Sequence, residues 1–588
     1  MLKKDASEYL NNFKPEIKDD WKELVAQGRE IGSGIPDRVS RFCEENGYDH
    51  YVQFRREKME EGKVLWALVV GRATLENQVK AVKTVYDYAH SRGRDDVYFQ
   101  CIASPLNALP RDMREKAPKT TSYVMYEPGD WLAHSEAAPI DIGFGDHHLA
   151  VPNGIETTVN ALNAGASRVG EFSQFIWRHP GFSDEYERCK IVVKSLGIAS
   201  AKAKNMLTVN TYPEDSLGGY FMDCVSIVAY TLLESRIVQD LCGARMSLSF
   251  GGLLGSIESR IGVATAIHKL LGNDEHLILT YFNNSTHQSW DHDLVSNYSL
   301  TSHECLMEII AERHYKMGIT INPVAITEKL QVPTLEEQLN VYEVGRRMEE
   351  FAKDWEKYID FSKWDEIRDT MAEQAEVMYA NMIEGLTDAG MNVDDPLELM
   401  LFLQNVDYAK FEQIFHPSTY NKDSTDLDVF YPTAMGETTL EMKNAILKDM
   451  MEKGYNENTL KGIKVALAAG DCHTYGLICV ESVLNALGAD VENGSVDLSP
   501  VELLDFADEN GLEKVAVSVH NGQSLDYAKQ LLALQKERDK NYTFFMGGRL
   551  NTILEGDSVP TEVGDRINEL GVHATNDFEE LINNIKNS

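Results

Sequence analysis

Apolar residues along this chain gather in short runs, separated by longer stretches in which they recur at helical spacing. The runs Val64–Val70, Val97–Ala103, Ile140–Phe144, Ala166–Phe172, Met206–Tyr212, Arg245–Phe250, Leu277–Phe282 and Gly318–Pro323 are rich in β-branched and aromatic residues. Each precedes a helix-length segment. Strands alternating with helices predict a parallel sheet, and eight such units predict a (β/α)8 TIM barrel over residues 61–345. Residues 1–60 read as a charged N-terminal helical arm, and residues 346–455 as a helical annex and linker. From 456 to 588 a second alternation begins, with strands expected at Ile463–Ala469, near Asp490, at Val515–Val519 and at Tyr542–Met546. That pattern predicts a flavodoxin-like, doubly wound domain, in which ligands sit beyond the carboxyl ends of the strands.

Composition narrows the chemistry. The 588 residues carry 93 acidic and 56 Lys or Arg side chains, a net charge of −37. Such a field repels phosphate backbones and anionic membrane surfaces, so neither nucleic acid nor membrane is an expected partner. No apolar run approaches the ~18 residues of a membrane span, and the N-terminal Met1-Leu-Lys-Lys-Asp-Ala-Ser lacks the apolar core of a signal peptide. Eight scattered cysteines without a CxxC argue against a disulfide framework or a structural zinc site. A reducing, cytoplasmic location is expected.

The loop after Ile463–Ala469 reads Gly470-Asp471-Cys472-His473-Thr474-Tyr475-Gly476 and leads into a helix. The imidazole of His473 would project from a strand's carboxyl end, with Asp471 placed to accept its second ring proton and strengthen it as a metal ligand. Gly476 permits a tight entry into the helix. Ser518 near a strand end and Gly547-Gly548 after another suit a long, partly polar group lying between strands. This set of residues resembles the DxHxxG–SxL–GG signature of cobalamin-binding domains. The resemblance implies a cobalamin held base-off, His473 on cobalt, and its nucleotide tail in a channel beside Ser518, Gly547 and Gly548. His520 stands where that signature has leucine.

At the expected barrel rim lie Arg72, Arg111 and Arg168, with Glu214 and Tyr220 following another strand. Converging guanidinium groups match carboxylates bidentately, although any one of these arginines alone would as readily pair with the chain's own acids. Gly71-Arg72-Ala73, Arg111-Asp-Met-Arg114, Arg168-Val-Gly170 and Glu214-x5-Tyr220 resemble the barrel subunit of glutamate mutase-like carbon-skeleton mutases. The resemblance implies an adenosylcobalamin-dependent isomerase in which Arg72, Arg111 and Arg168 clamp a small dicarboxylate and Glu214 and Tyr220 line the pocket. It assigns Glu328 to the adenosyl ribose, although Val324 replaces the lysine expected four residues earlier. Fusion of both domains in one chain is most like the enzymes that interconvert 2-methyleneglutarate and 3-methylitaconate. A homo-oligomer, dimer or tetramer, is expected.

Two other classes stay open. A corrinoid methyl carrier would place a helical bundle directly before the cobalamin domain, and a cobalamin sensor or chaperone would turn over no acid. Asp146-His147-His148 is a weaker signal that is set aside: adjacent histidines cannot both face one ion from a strand, and lining of the pocket is the alternative to a metal site. Glu214 leans towards a substrate bearing an amino group.

Overall fold

The computed structural model describes residues 2–588 apart from 117–121, 180–181, 206, 252–253, 255, 273–279, 284–291, 423–426, 472–473, 495, 497, 521 and 553–560. It is a mixed α/β protein with two parallel sheets. The first contains β1 (Leu65–Val70), β2 (Val97–Cys101), β3 (Asp141–Phe144), β4 (Arg168–Val169), β5 (Thr208–Thr211), β6 (Arg245–Phe250), β7 (Thr280–Asn283) and β8 (Thr320–Asn322). Neighbours in sequence pair in parallel, and β8 pairs with β1 through Leu65–Thr320 and Trp66–Ile321, closing the ring. Strands such as Leu65-Trp-Ala-Leu-Val-Val70 are buried on both faces, which is why they read as continuous apolar runs. Every strand but β4 falls within a residue or two of its expected run among the described residues. There the run Ala166–Phe172 yields only two paired residues, because the Gly170 carbonyl accepts the N–H groups of His148 and Leu149.

The second sheet contains β9 (Lys464–Ala469), β10 (Asp490–Asn493), β11 (Lys514–Val519), β12 (Thr543–Gly548) and β15 (His573–Ala574), all parallel, in the order β10-β9-β11-β12-β15. A small antiparallel pair, β13 (Asn551–Thr552) and β14 (Thr561–Glu562), sits outside it. Counted within the sheet the order is 2-1-3-4-5, that of flavodoxin-type folds, and it reverses between β9 and β11. The short β15 carries too few residues to stand out as a strand in the sequence.

The flanking helices are tied closely to the ring. Helix Trp21–Gly34 packs on helix Glu185–Ala201 through glycines: a Cβ on Gly28 would lie 2.1 Å from the Lys194 carbonyl oxygen, and one on Gly197 would lie 2.5 Å from that of Val25. Helix Ser362–Asp388 packs against the barrel helices Cys224–Ser235 and Ile257–Leu271. The segment leading to the second sheet is laced to the barrel. Asp223 accepts the N–H groups of Phe430 and Tyr431, Cys224 N–H donates to the Tyr431 carbonyl (2.8 Å), and Thr433 N–H donates to that of Met222 (2.9 Å). Helix Ala434–Glu452 follows at once and packs on helix Thr474–Ala486.

Between helices Ile257–Leu271 and Leu294–Tyr315, the fully buried Arg260 faces two carboxylates, Glu304 at 3.1 Å and Glu308 at 3.6 Å. Burial pushes Glu308 up to about 8 and Glu304 up to about 7, against the pull of Arg260. A carboxyl whose folded pKa exceeds its unfolded one contributes stability below the unfolded value, which is lost as pH rises through the folded value.

Two outcomes follow. Gly28→Val should destabilise the arm–barrel contact by about 1–3 kcal/mol, through a forced separation of two helix backbones, as read by denaturant unfolding. Glu308→Gln should flatten the fall in thermal stability between about pH 5 and 8 and raise the melting temperature at pH 9 by about 2 °C, measured by calorimetry.

Candidate functional site

At the carboxyl edge of the second sheet, three separated parts of the sequence meet. Gly470 leaves β9 and donates its N–H to the Ser518 carbonyl on β11 (2.8 Å). A side chain at Gly470 would lie 2.6 Å from the Tyr527 ring, so only glycine fits. Asp471 is buried, and its carboxylate accepts the backbone N–H of His520. The His520 Nδ1 lies 3.7 Å from the other carboxylate oxygen. His473, expected on cobalt, and its neighbour Cys472 lie outside the described residues.

Gly476, early in helix Thr474–Ala486, faces Ser518. A Cβ there would come within 2.8 Å of the Ser518 Oγ. That hydroxyl is buried and has no hydrogen-bond partner among the described residues. Such an atom loses its hydration without replacement unless something else bonds it. On the other side, Gly548 at the end of β12 adopts φ +100°, and its N–H and carbonyl are both held by the Asn576 side chain at 2.9 Å. A Cβ there would lie 2.5 Å from the Val519 carbonyl oxygen, so the glycine lets β12 end flush against β11. Asp471, Gly476, Ser518, Gly547 and Gly548 therefore line one crevice, at the point where strand order reverses. The unsatisfied hydroxyl and the glycine walls fit a long group carrying polar atoms.

The barrel interior holds a second polar cluster. Arg168 donates to Ser249 Oγ (2.6 Å) and lies 3.9 Å from Glu171. Asn210 Nδ2 donates to Glu171 and to Ser249 Oγ (2.9 Å). Burial raises the Glu171 carboxyl to about 7, with Arg168 opposing. Glu214 is buried and accepts the Gly251 N–H at 2.7 Å. Glycines make room here: a Cβ on Gly145 would collide with the Gln100 side chain at 1.9 Å.

The three expected clamp arginines are not brought together. Arg168 alone points into the ring. Arg72 sits at the β1–β8 edge, where it donates to the Pro333 carbonyl (2.7 Å) and to Gln338. Arg111 lies on the exterior, paired with Glu115 (2.8 Å) and Glu127. The buried guanidinium of that loop is Arg114, held by the Met125 carbonyl (2.6 Å) and Glu156 (2.9 Å). Exposed Arg111 meets nearby acids at little desolvation cost, so nothing draws it inwards. Tyr220 stacks on Tyr408 of the annex at 4.2 Å between ring centroids, beside the helix Thr474–Ala486. Glu328 lines a cavity of about 240 Å³ between the ends of β1 and β8, with Asn322, Ser122, Gln338 and Val324. Sequence reasoning missed Glu171, Asn210 and Ser249. Their signal was available: Asn210 and Ser249 are polar residues inside otherwise apolar strands, and Glu171 follows Arg168 by three.

His147 takes a left-handed φ of +65°, with its N–H on Gln174 Oε1 (3.0 Å), and its ring packs 5.9 Å from Trp177. Among the described residues no His/Cys/Asp/Glu group could hold a metal ion.

Loops from the barrel's carboxyl end meet the second unit. Trp177, after β4, is buried in one apolar cluster with Met450, Leu460, Val465 and Leu477, its Nε1 donating to the Asp215 carbonyl (2.8 Å). After β8, Leu330 and Gln331 approach Gly522, in the loop that follows β11.

Residues 463–568 match the family model described as B12 binding domain. The match supports a cobalamin-binding protein. The glycine-walled crevice lies within the matched residues, and its empty hydrogen-bonding capacity at Ser518 suits the cobalamin tail. A solved structure of Rhizobium etli pyruvate carboxylase with its allosteric activator acetyl coenzyme-A is similar at 12% identity, over 68% of this chain and 44% of that one, with a TM-score of 0.26. The chain thus spans less than half the length of that enzyme. No curated protein matches. Among the described residues no helix is long and apolar enough to cross a membrane.

Gly476→Val should abolish cobalamin uptake by the full chain, measured by equilibrium dialysis, while far-ultraviolet dichroism stays within a few per cent of wild type. The new side chain would occupy the space beside Ser518.

Proposed function

We propose that this chain is an adenosylcobalamin-dependent carbon-skeleton mutase acting on a small dicarboxylate, with 2-methyleneglutarate to 3-methylitaconate as the reaction best suited to its fused architecture. The carrying observation is that loops after β4 and β8 of a closed ring of parallel strands, read as a (β/α)8 TIM barrel, pack on the unit that matches a B12 binding domain. On this reading the chain comprises an arm (1–60), barrel (61–345), annex (346–455) and cobalamin domain (456–588). Asp471, His473, Gly476, Ser518, Gly547 and Gly548 would hold the cofactor, with His473 on cobalt. Adenosylcobalamin, once bound, supplies an organic radical by homolysis of its cobalt–carbon bond.

The protein's residues bind, orient and exclude water. Arg168 anchors a substrate carboxylate, and Asn210 and Ser249 fix its guanidinium in one rotamer. Pre-organised, charge-assisted bonds of this kind hold a reacting molecule in place while its surroundings stay dry. Glu214, tied to the Gly251 backbone, lines the same interior, and Tyr220 with Tyr408 seals one side against the cobalamin domain. Glu328 is placed in a cavity suited to the adenosyl ribose, and Arg72 braces that cavity's wall through Pro333 and Gln338. Arg111 has no part, since its two carboxylate partners hold it outside.

A second reading has its own observation. The Glu171 carboxylate beside Arg168 provides an acceptor for an ammonium group, which favours an amino dicarboxylate of the glutamate type. A methyl carrier is less well supported: helices from Ser362 to Phe415 pack chiefly on the barrel, and Ala434–Glu452 is the annex helix that packs most heavily on the cobalamin domain among the described residues.

Anaerobic incubation with adenosylcobalamin and either 2-methyleneglutarate or glutamate, followed by electron paramagnetic resonance, separates the readings. An organic radical coupled to cobalt(II) is expected with one acid and not the other. Arg168→Met should remove the signal, with a loss of ~100-fold or more in turnover. Silence with every dicarboxylate, despite bound cofactor, would rule the mutase out.

A further inference from the structure

The crevice contains one residue that the cobalamin-binding signature does not account for. His520 directly follows β11, where that signature carries leucine, and its side chain is largely buried. Its backbone N–H donates to one Asp471 carboxylate oxygen, and its imidazole Nδ1 stands 3.7 Å from the other. On its far side the ring meets β12: a Cβ on Gly548 would lie 3.1 Å from His520 Cε1. The imidazole therefore spans the gap between the loop after β9 and the glycine pair after β12. A leucine there could fill the space but could not engage a carboxylate.

We infer that His520 is a positioning residue for the basal cobalt ligand: it faces the Asp471 carboxylate, restrains its rotation, and through it steadies the imidazole that the cobalamin reading assigns to cobalt. This rests on the cobalamin reading of the C-terminal unit. A carboxylate behind a metal-bound histidine sets both ring orientation and donor strength, and its own supports carry through to the metal. Here the backbone bond restrains one oxygen and the imidazole faces the second, so rotation about the Asp471 Cβ–Cγ bond is opposed at both oxygens. The consequence falls on the basal bond to cobalt(II), which a firmly held histidine strengthens relative to the four-coordinate cobalt(I) state.

The test uses the full chain loaded with cob(II)alamin. In wild type, electron paramagnetic resonance should show superhyperfine splitting from one imidazole nitrogen. His520→Leu keeps the backbone bond and the packing, so its melting temperature should stay near wild type. Its nitrogen-split fraction should fall several-fold, and its cobalt(II)/cobalt(I) midpoint should move to a more positive potential. His520→Gln, which retains a donor near the carboxylate, should restore most of both. If wild type takes up no corrinoid, the cobalamin reading itself fails. If wild type binds but His520→Leu matches it in splitting and midpoint, the positioning role is overturned. A loss of binding and of melting temperature in both variants would equally overturn it, by showing a role in packing alone.

Discussion

The architecture of this molecule turns on loops from the barrel's carboxyl end packing against the second unit. Parallel strands put all their loops with binding potential at one end, and this chain contains two such sheets. Trp177, rising from the barrel after β4, is buried in the same apolar cluster as Val465 and Leu477 of the second unit. An indole buried against a neighbour contributes ~2–3 kcal/mol of apolar burial, and its Nε1 is satisfied by Asp215. The same cluster ties the loop after β4 to the second unit.

Charge inside the ring is arranged sparingly. Arg168 and Glu171 are both nearly inaccessible to solvent, and each is held by neutral partners, Ser249 and Asn210. A buried ion pair is poor evidence for stability, because desolvation offsets much of the attraction. Arg260 with Glu304 and Glu308 makes the contrast: two acids to one base, wedged between helices.

Much of this was legible in the sequence, for a physical reason. Strands buried on both faces must be apolar throughout, so eight runs stood out, and the Asp471-to-Gly476 loop could be placed at a strand end before any coordinate was known. What the sequence concealed was orientation. Arg111 and Arg114 begin and end one short helical turn, and only the packing around Met125 and Glu156 decides which guanidinium is buried. Tyr220 follows its strand as expected yet turns to stack on Tyr408, a partner nearly two hundred positions along the chain. β15, two residues long, is a strand only because β12 offers an edge to pair with. Pairings of that range leave no local periodicity to read.

The lacing of residues 430–433 onto the barrel has a consequence for the tether between the two units. Because hydrogen bonds to Met222, Asp223 and Cys224 pin the chain up to Thr433, and a helix starts at the next residue, almost no slack joins barrel and cobalamin domain. A short, stiff linker keeps the effective concentration of one module at the other high, and it restricts the directions in which they can part. Any opening to admit a bulky ligand must therefore proceed as a hinge about Thr433 rather than as free diffusion of a tethered domain, and each closure returns the same two surfaces to the same register.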